Sequence, residues 1–284
     1  MKTVLRLLTL SVSALLFTSC IQHSTVLRVR KDGSGEIFVR NHFSPQMSAM
    51  IGGIAGAAGA EGGAEIATED PSKANPDELK ANAALFGEGV RYVRHEENKN
   101  KDGWAGYLAV YEFDDITKIT LSDETAMPSG LKDMAEEQGQ EVGGEDSGKI
   151  TFEMAEGVLT MNSNMGQAGL DSFKEQSGEE LPDGAKPSQM MAMMAGMMNG
   201  MRMAYFVRID GGIAETNATH VQGDFVTISD IDVGKMLADP EFLAFVDNAA
   251  ANPDSVTEES TKALVPQIES MKAEMQEKVT VKFQ

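Results

Sequence analysis

The sequence predicts an α+β fold: a twisted antiparallel sheet of hairpins, with helices packed on one face and acidic flexible loops around it. Three observations predict it. Short segments alternate apolar and polar side chains with the period of a half-buried strand. These segments come in pairs joined by Gly- and Asp-rich turns, the connection of antiparallel strands rather than of crossovers. Between them, Asn-Pro and Asp-Pro pairs open stretches of helical spacing.

The first pair is TVLRVRKDGSGEIFVRNHF, Thr25 to Phe43, which alternates on both sides of Asp32-Gly33-Ser34-Gly35. Leu27 and Val29 point to one face and Arg28 and Arg30 to the other, and on the return Ile37 and Val39 join the apolar face. A helix follows from Pro76 to Phe86, with Asn75 as N-cap and proline at the first helical position. The second hairpin, Gly89 to Phe113, turns through Asn98 to Gly103. Tyr107, Ala109, Tyr111 and Phe113 line one face and Leu108 and Val110 the other, and two apolar faces predict an inner strand.

A third hairpin turns at Glu156-Gly157, and a fourth joins MAYFVRIDGGIAETNA to HVQGDFVTI. Asp239-Pro240-Glu241 starts another helix. From Thr261 to Glu277, Leu264, Ile268, Met271 and Met275 keep helical spacing, interrupted at Pro266, where a kink or break is expected. In the last strand Val279, Val281 and Phe283 alternate with Lys278, Thr280 and Lys282. Segments 61–73, 130–148 and 171–187 are rich in Gly, Glu, Asp and Ser with few large apolar residues. Such a composition does not offset the entropy of ordering, so flexibility is expected there.

Residues 1–19 read as a signal peptide, leaving 20–284 as one envelope domain. Lys2 and Arg6 form a positive start, Leu7 to Phe17 an apolar stretch too short to span a bilayer as a helix, and Thr18-Ser19 a small-residue end. Leu16-Phe17-Thr18-Ser19-Cys20 resembles the lipobox of bacterial lipoproteins, which more often carry Leu where Phe17 stands. The resemblance implies cleavage before Cys20 and acylation of its thiol, with palmitate among the chains. Each buried methylene contributes about 0.8 kcal/mol and a single chain holds only marginally, so multiple acylation matters. Ile21 stands where lipoproteins retained in the inner membrane of some bacteria carry Asp, which implies an outer-membrane location facing the periplasm or the surface.

The chain has 24 basic against 44 acidic residues, a formal charge of −20 that loss of Lys2 and Arg6 would deepen. Such a surface repels phosphate backbones and anionic lipid headgroups, so general nucleic-acid binding is disfavoured and no nucleic-acid partner is expected. Cys20 is the sole cysteine, so no internal disulfide forms and packing carries the stability.

The densest local bias is QMMAMMAGMMNGMRM. On a continuous helix Met190, Met194, Met197 and Met201 share one face, suited to apolar contact or, as an alternative, to Cu(I), for which thioethers are soft ligands. With no histidine or cysteine nearby, packing or lipid contact is the favoured reading, and no metal or cofactor is expected. A second apolar piece, MSAMIGGIAGAAGA, carries Ile51 and Ile54 among small residues spaced for close helix approach. The two segments form the expected contact surface for a lipid or an envelope protein.

Asn98-Lys99-Asn100-Lys101-Asp102-Gly103 matches the first half of a calcium loop but has Ala109 where a bidentate carboxylate belongs, so a turn is expected. His23, His42, His95 and His220 lack metal-ligand spacing and read as surface or strand residues. Arg28, Arg30, Arg40, Arg94 and Arg208 are expected on outward strand faces beside acidic partners. No catalytic residue is assigned, and an enzyme site assembled from distant residues is the competing class.

Taken in order, the lipobox, TVLRVRKDGSGEI, GWAGYLAVYEFDDITKI, the methionine-rich stretch running into GMRMAYFVRIDGGIAETNATHV, and the terminal VTVKF resemble a set of bacterial lipoproteins with no established catalytic residues. The strand–Gly–Asn-Ala–strand pattern from Gly211 to Ala218 is also similar to the LppM-type lipoprotein domain. That resemblance implies a sheet-rich module tied to envelope lipids.

Overall fold

A computed structural model describes residues 21–45, 47, 70, 72–122, 125, 148–164, 168 and 186–284. Cys20, Ile51, Ile54 and most of the three segments expected to be flexible lie outside the described residues. Among the described residues the fold is α+β, with thirteen strands in two mostly antiparallel sheets and five α-helices.

The large sheet contains β1 (Ile21–Val29), β2 (Gly35–Phe43), β3 (Arg91–Lys99) and β4 (Ala105–Phe113) from the first half of the chain. From the second half come β8 (Arg202–Ile209), β10 (Val221–Gln222), β11 (Phe225–Asp232) and β12 (Met271–Ala273). Their order is β10-β11-β8-β1-β2-β4-β3, with β12 also paired to β11. The small sheet runs β5 (Thr120–Ser122), β6 (Lys149–Ala155), β7 (Val158–Ser163), β13 (Lys278–Phe283) and β9 (Ile213–Thr216).

The strand faces follow the sequence pattern. Leu27, Val29, Ile37 and Val39 are buried, and so are Tyr107, Ala109, Tyr111 and Phe113 on β4, which lies between β2 and β3 as an inner strand. One apolar cluster joins these residues to Phe152, Leu159, Val279 and Val281 of the small sheet. A second sheet therefore covers the inner face of the first, and Tyr205 of β8 crosses between them to donate to the Ser122 carbonyl at 3.1 Å.

Helix α1 (Pro76–Asn82) is capped by Asn75, whose Oδ1 accepts from the Asp77 amide at 3.0 Å, and continues as a 3-10 turn. That turn carries Phe86 to within 5.2 Å of the Tyr111 ring. Helices α2 (Pro187–Met197), α3 (Val233–Leu237) and α4 (Pro240–Ala251) contact one another. Ser188 fastens α2 to α4 through both its amide and its hydroxyl, which donate to the Asp247 carboxylate.

Three features depart from the hairpin reading. β1 pairs in parallel with β8, from Gln22 against Arg202 to Val29 against Ile209, so the N-terminal strand lies inside the large sheet. The fourth hairpin forms between β8 and β11, while β9 crosses to the small sheet and pairs with β13. Gly211 and Gly212, both at positive φ, turn the chain away there. Helix α5 (Glu258–Leu264) ends in a 3-10 turn at Pro266, and Met271 beyond it lies on β12 opposite Ile231 instead of extending the helix. Proline lacks the amide that an interior helical position needs, and the edge of β11 offers those residues another set of backbone partners.

Candidate functional site

The strand ends next to residue 20 collect the chain's most distinctive side chains. Ile21 opposes Phe43, Phe43 opposes Ala105, and Ala105 opposes Lys99, so one row crosses β1, β2, β4 and β3. On the other side of β1, Gln22 opposes Arg202, the first residue of β8.

Just inside this row the inner face turns polar. His23 lies opposite Asn41, with Nδ1 2.7 Å from Asn41 Oδ1 and Nε2 3.0 Å from Thr25 Oγ1. The Asn41 amide donates onward to the Tyr107 hydroxyl at 3.1 Å, and the His23 ring lies 6.0 Å from that of Tyr205. All of these residues are buried. Burial pushes His23 down to about 4, against a smaller opposing effect of its bond to Asn41, and pushes the Tyr107 phenol up to about 12. At neutral pH the imidazole is uncharged, donating from Nδ1 and accepting at Nε2. Both ring nitrogens are engaged, so the network orients three strands instead of presenting a free base.

One residue inside the row, His42 Nε2 lies 2.6 Å from Asn98 Oδ1. Asn100 Oδ1 accepts from the amides of Asp102 at 2.9 Å and Trp104 at 3.0 Å, and Gly103 adopts positive φ. The calcium-like stretch is thus the β3–β4 turn, with the Asn100 oxygen spent on bonds within the turn and the Asn98 oxygen on His42 of β2. Beside it lies an open groove of about 660 Å³, lined among others by Phe43, Pro45, Ser72, Lys99 and Ala105. Trp104, the only tryptophan of the chain, is half-buried at the start of β4.

The methionine stretch joins the same end through β8. Met190 and Met193 on α2 are 38% and 68% exposed, while Met194 is half-buried. Met197 is the last residue of α2, and Met201 follows a turn in which Gly200 has positive φ and the Met201 amide donates to the Met198 carbonyl. The four methionines therefore do not share one helical face, because the Asn199-Gly200 turn releases Met201 into the start of β8. Cys20, Ile51 and Ile54, the remaining expected site residues, lie outside the described residues.

A second groove, between α5 and the small sheet, is lined by Lys149, Asn162, Lys262, Glu258 and Glu277 among others. Near it the buried Glu274 carboxylate accepts from the Thr219 amide at 2.6 Å, the Thr219 hydroxyl at 3.0 Å and the Gln276 amide at 3.1 Å, fastening the loop after β9 to the segment between β12 and β13.

Four of the five strand arginines, Arg28, Arg30, Arg94 and Arg208, meet acidic partners. Arg28 bonds Glu36 and Asp210, each at 2.9 Å, Arg94 bonds Glu96, and Arg208 bonds Asp224 while its guanidinium lies 5.5 Å from the centre of the Phe225 ring. The buried network is the feature that residue-type reasoning missed. The signal was present, because a period of two places His23 and Thr25 on the face of Leu27 and Val29.

No protein-family model matches the chain, and no curated protein matches it. Among solved structures it is similar to the folded domain of LppM from Mycobacterium tuberculosis, determined by NMR. The two share 8% identity over 74% of this chain and 81% of that one, with a TM-score of 0.29.

Proposed function

We propose that the protein is a membrane-anchored envelope lipoprotein, held in the outer membrane, whose role is binding or assembly rather than catalysis. The observation that carries this reading is the lipobox-like run ending at Cys20, immediately before the first residue of β1. The polar groups at that end support a binding role. Both ring nitrogens of His23 are engaged, with Asn41 and Thr25, and His42 Nε2 is engaged with Asn98, so these atoms serve the architecture. The exposed methionines of α2 offer apolar surface to a lipid or an envelope protein, and the open groove beside Phe43 offers a mixed lining that includes Asp70, Lys73, Glu97 and Lys99.

Fractionation of cells carrying Cys20→Ser tests the reading. The wild-type protein is expected in the membrane fraction and the variant in the soluble fraction, from which copurifying lipids can be identified by mass spectrometry. A variant that remains in the membrane fraction overturns the proposal.

A further inference from the structure

We propose that the large sheet stands end-on on the bilayer, with Ile21, Trp104 and Met201 at headgroup level and the β1–β2 turn at Lys31 and Asp32 pointing away. This rests on acylation of Cys20 and adds to it an orientation and a contact surface. Cys20 is bonded to Ile21, and consecutive Cα atoms are about 3.8 Å apart across a trans peptide. Ile21 is already held in the sheet opposite Phe43. An anchor at residue 20 therefore has no linker.

The register fixes what else lies at that level. β1 and β4 both pair antiparallel with β2, so they run in the same direction, and both begin on the row Ile21, Phe43, Ala105. Trp104 immediately precedes β4, whose first residue lies about 10 Å from Ile21 along the sheet, or two inter-strand spacings. β8 runs parallel to β1 with Arg202 opposite Gln22, so Met201 falls level with Ile21 on the other side. Three strand starts thus share one level, and fixing the middle one to the membrane brings the outer two to it.

Their chemistry suits that depth. The headgroup layer is about 5–7 Å thick on each side of the hydrocarbon, and the indole of tryptophan, apolar with one N–H donor, favours that layer. Lys99, exposed opposite Ala105, and the exposed Lys101 carry long stems whose ammonium groups reach lipid phosphates. At the other end, the nine residues of β1 place Lys31 about 30 Å from the bilayer.

Because Trp104 is the sole tryptophan, its fluorescence reports this contact. The full acylated chain is reconstituted in vesicles of phosphatidylethanolamine and phosphatidylglycerol that contain brominated phosphatidylcholine. Trp104 emission is expected to fall, more with bromines near the top of the acyl chains than with bromines deep in them. A chain combining Trp104→Phe with Lys31→Trp, which moves the indole to the far turn, is expected to keep its emission in the same vesicles. Unquenched Trp104 in protein that floats with the vesicles overturns the end-on placement and leaves the anchor reading standing. Protein that does not float overturns both.

Discussion

His23 is a strand residue without a surface, and its surroundings make it a source of pH dependence. Its folded value of about 4 lies below the ordinary histidine value of 6.5, so between these limits the unfolded chain binds more protons than the folded one. The stability it contributes is complete above about pH 6.5 and is lost as the pH falls toward 4. Between pH 7 and pH 5 this amounts to about 2 kcal/mol. Urea unfolding of the wild type and of His23→Phe at the two pH values checks it: the wild type should lose that amount relative to the variant, and equal losses would refute the assignment. At this scale the sequence showed which face His23 occupies, through its period-two relation to Leu27, but not that Asn41 and Tyr107 close the network. Those partners come from β2 and β4, and nothing in a local pattern records a neighbour on another strand.

Among the elements, two glycines respond in opposite directions to the same substitution. A Cβ on Gly106 in β4 would stand 1.9 Å from the Asn41 carbonyl oxygen of β2, so Gly106→Ala forces the two strands apart. A loss on the order of 4 kcal/mol is expected, at the upper end for a single change. Gly196 lies on α2 with open space around the position of its missing Cβ, and there alanine is expected to stabilise by about 0.5–1 kcal/mol through helix propensity. Denaturant midpoints of the two variants against the wild type measure both effects, and a tolerated alanine at Gly106 would show that β2 and β4 are not held as described. Helix starts were legible because capping is local: Asn75 and Asp239 announce Pro76 and Pro240. Helix ends were less so. Pro266 marked a break, yet the fate of Met271 was decided by the edge of β11, and the turn that releases Met201 interrupted an otherwise helical run of methionines.

Over the whole molecule, the two sheets share one apolar cluster, and the last strand holds the small sheet together because β13 lies between β7 and β9. Removing Val279 to Gln284 withdraws Val279, Val281 and Phe283, each 5% exposed or less, and each buried side chain of this size contributes roughly 1.5–3 kcal/mol. The combined loss rivals the 5–15 kcal/mol of a typical folded protein. The shortened chain should give no cooperative thermal transition by circular dichroism, and a melt at the parental temperature would place the cluster elsewhere. The α+β class and the hairpins were readable from alternation and turn chemistry. The division into two sheets was not, since a period of two fixes which side chains share a face but not which strand lies alongside.

The parallel pairing of β1 with β8 also imposes an order in time. Arg202 lies 180 residues beyond its partner Gln22, so β1 cannot complete its pairing until most of the chain is in place. The β2 edge of the β1–β2 hairpin is closed by β4, but the β1 edge stays open until β8 pairs with it, and an open edge is a template for pairing with another chain. Within the hairpin Arg28 and Arg30 both meet Glu36, and Asp210, which follows β8, adds a second partner to Arg28 once that strand is in place. A chain lacking β8 would keep the β1 edge open and expose it to pairing with a second copy.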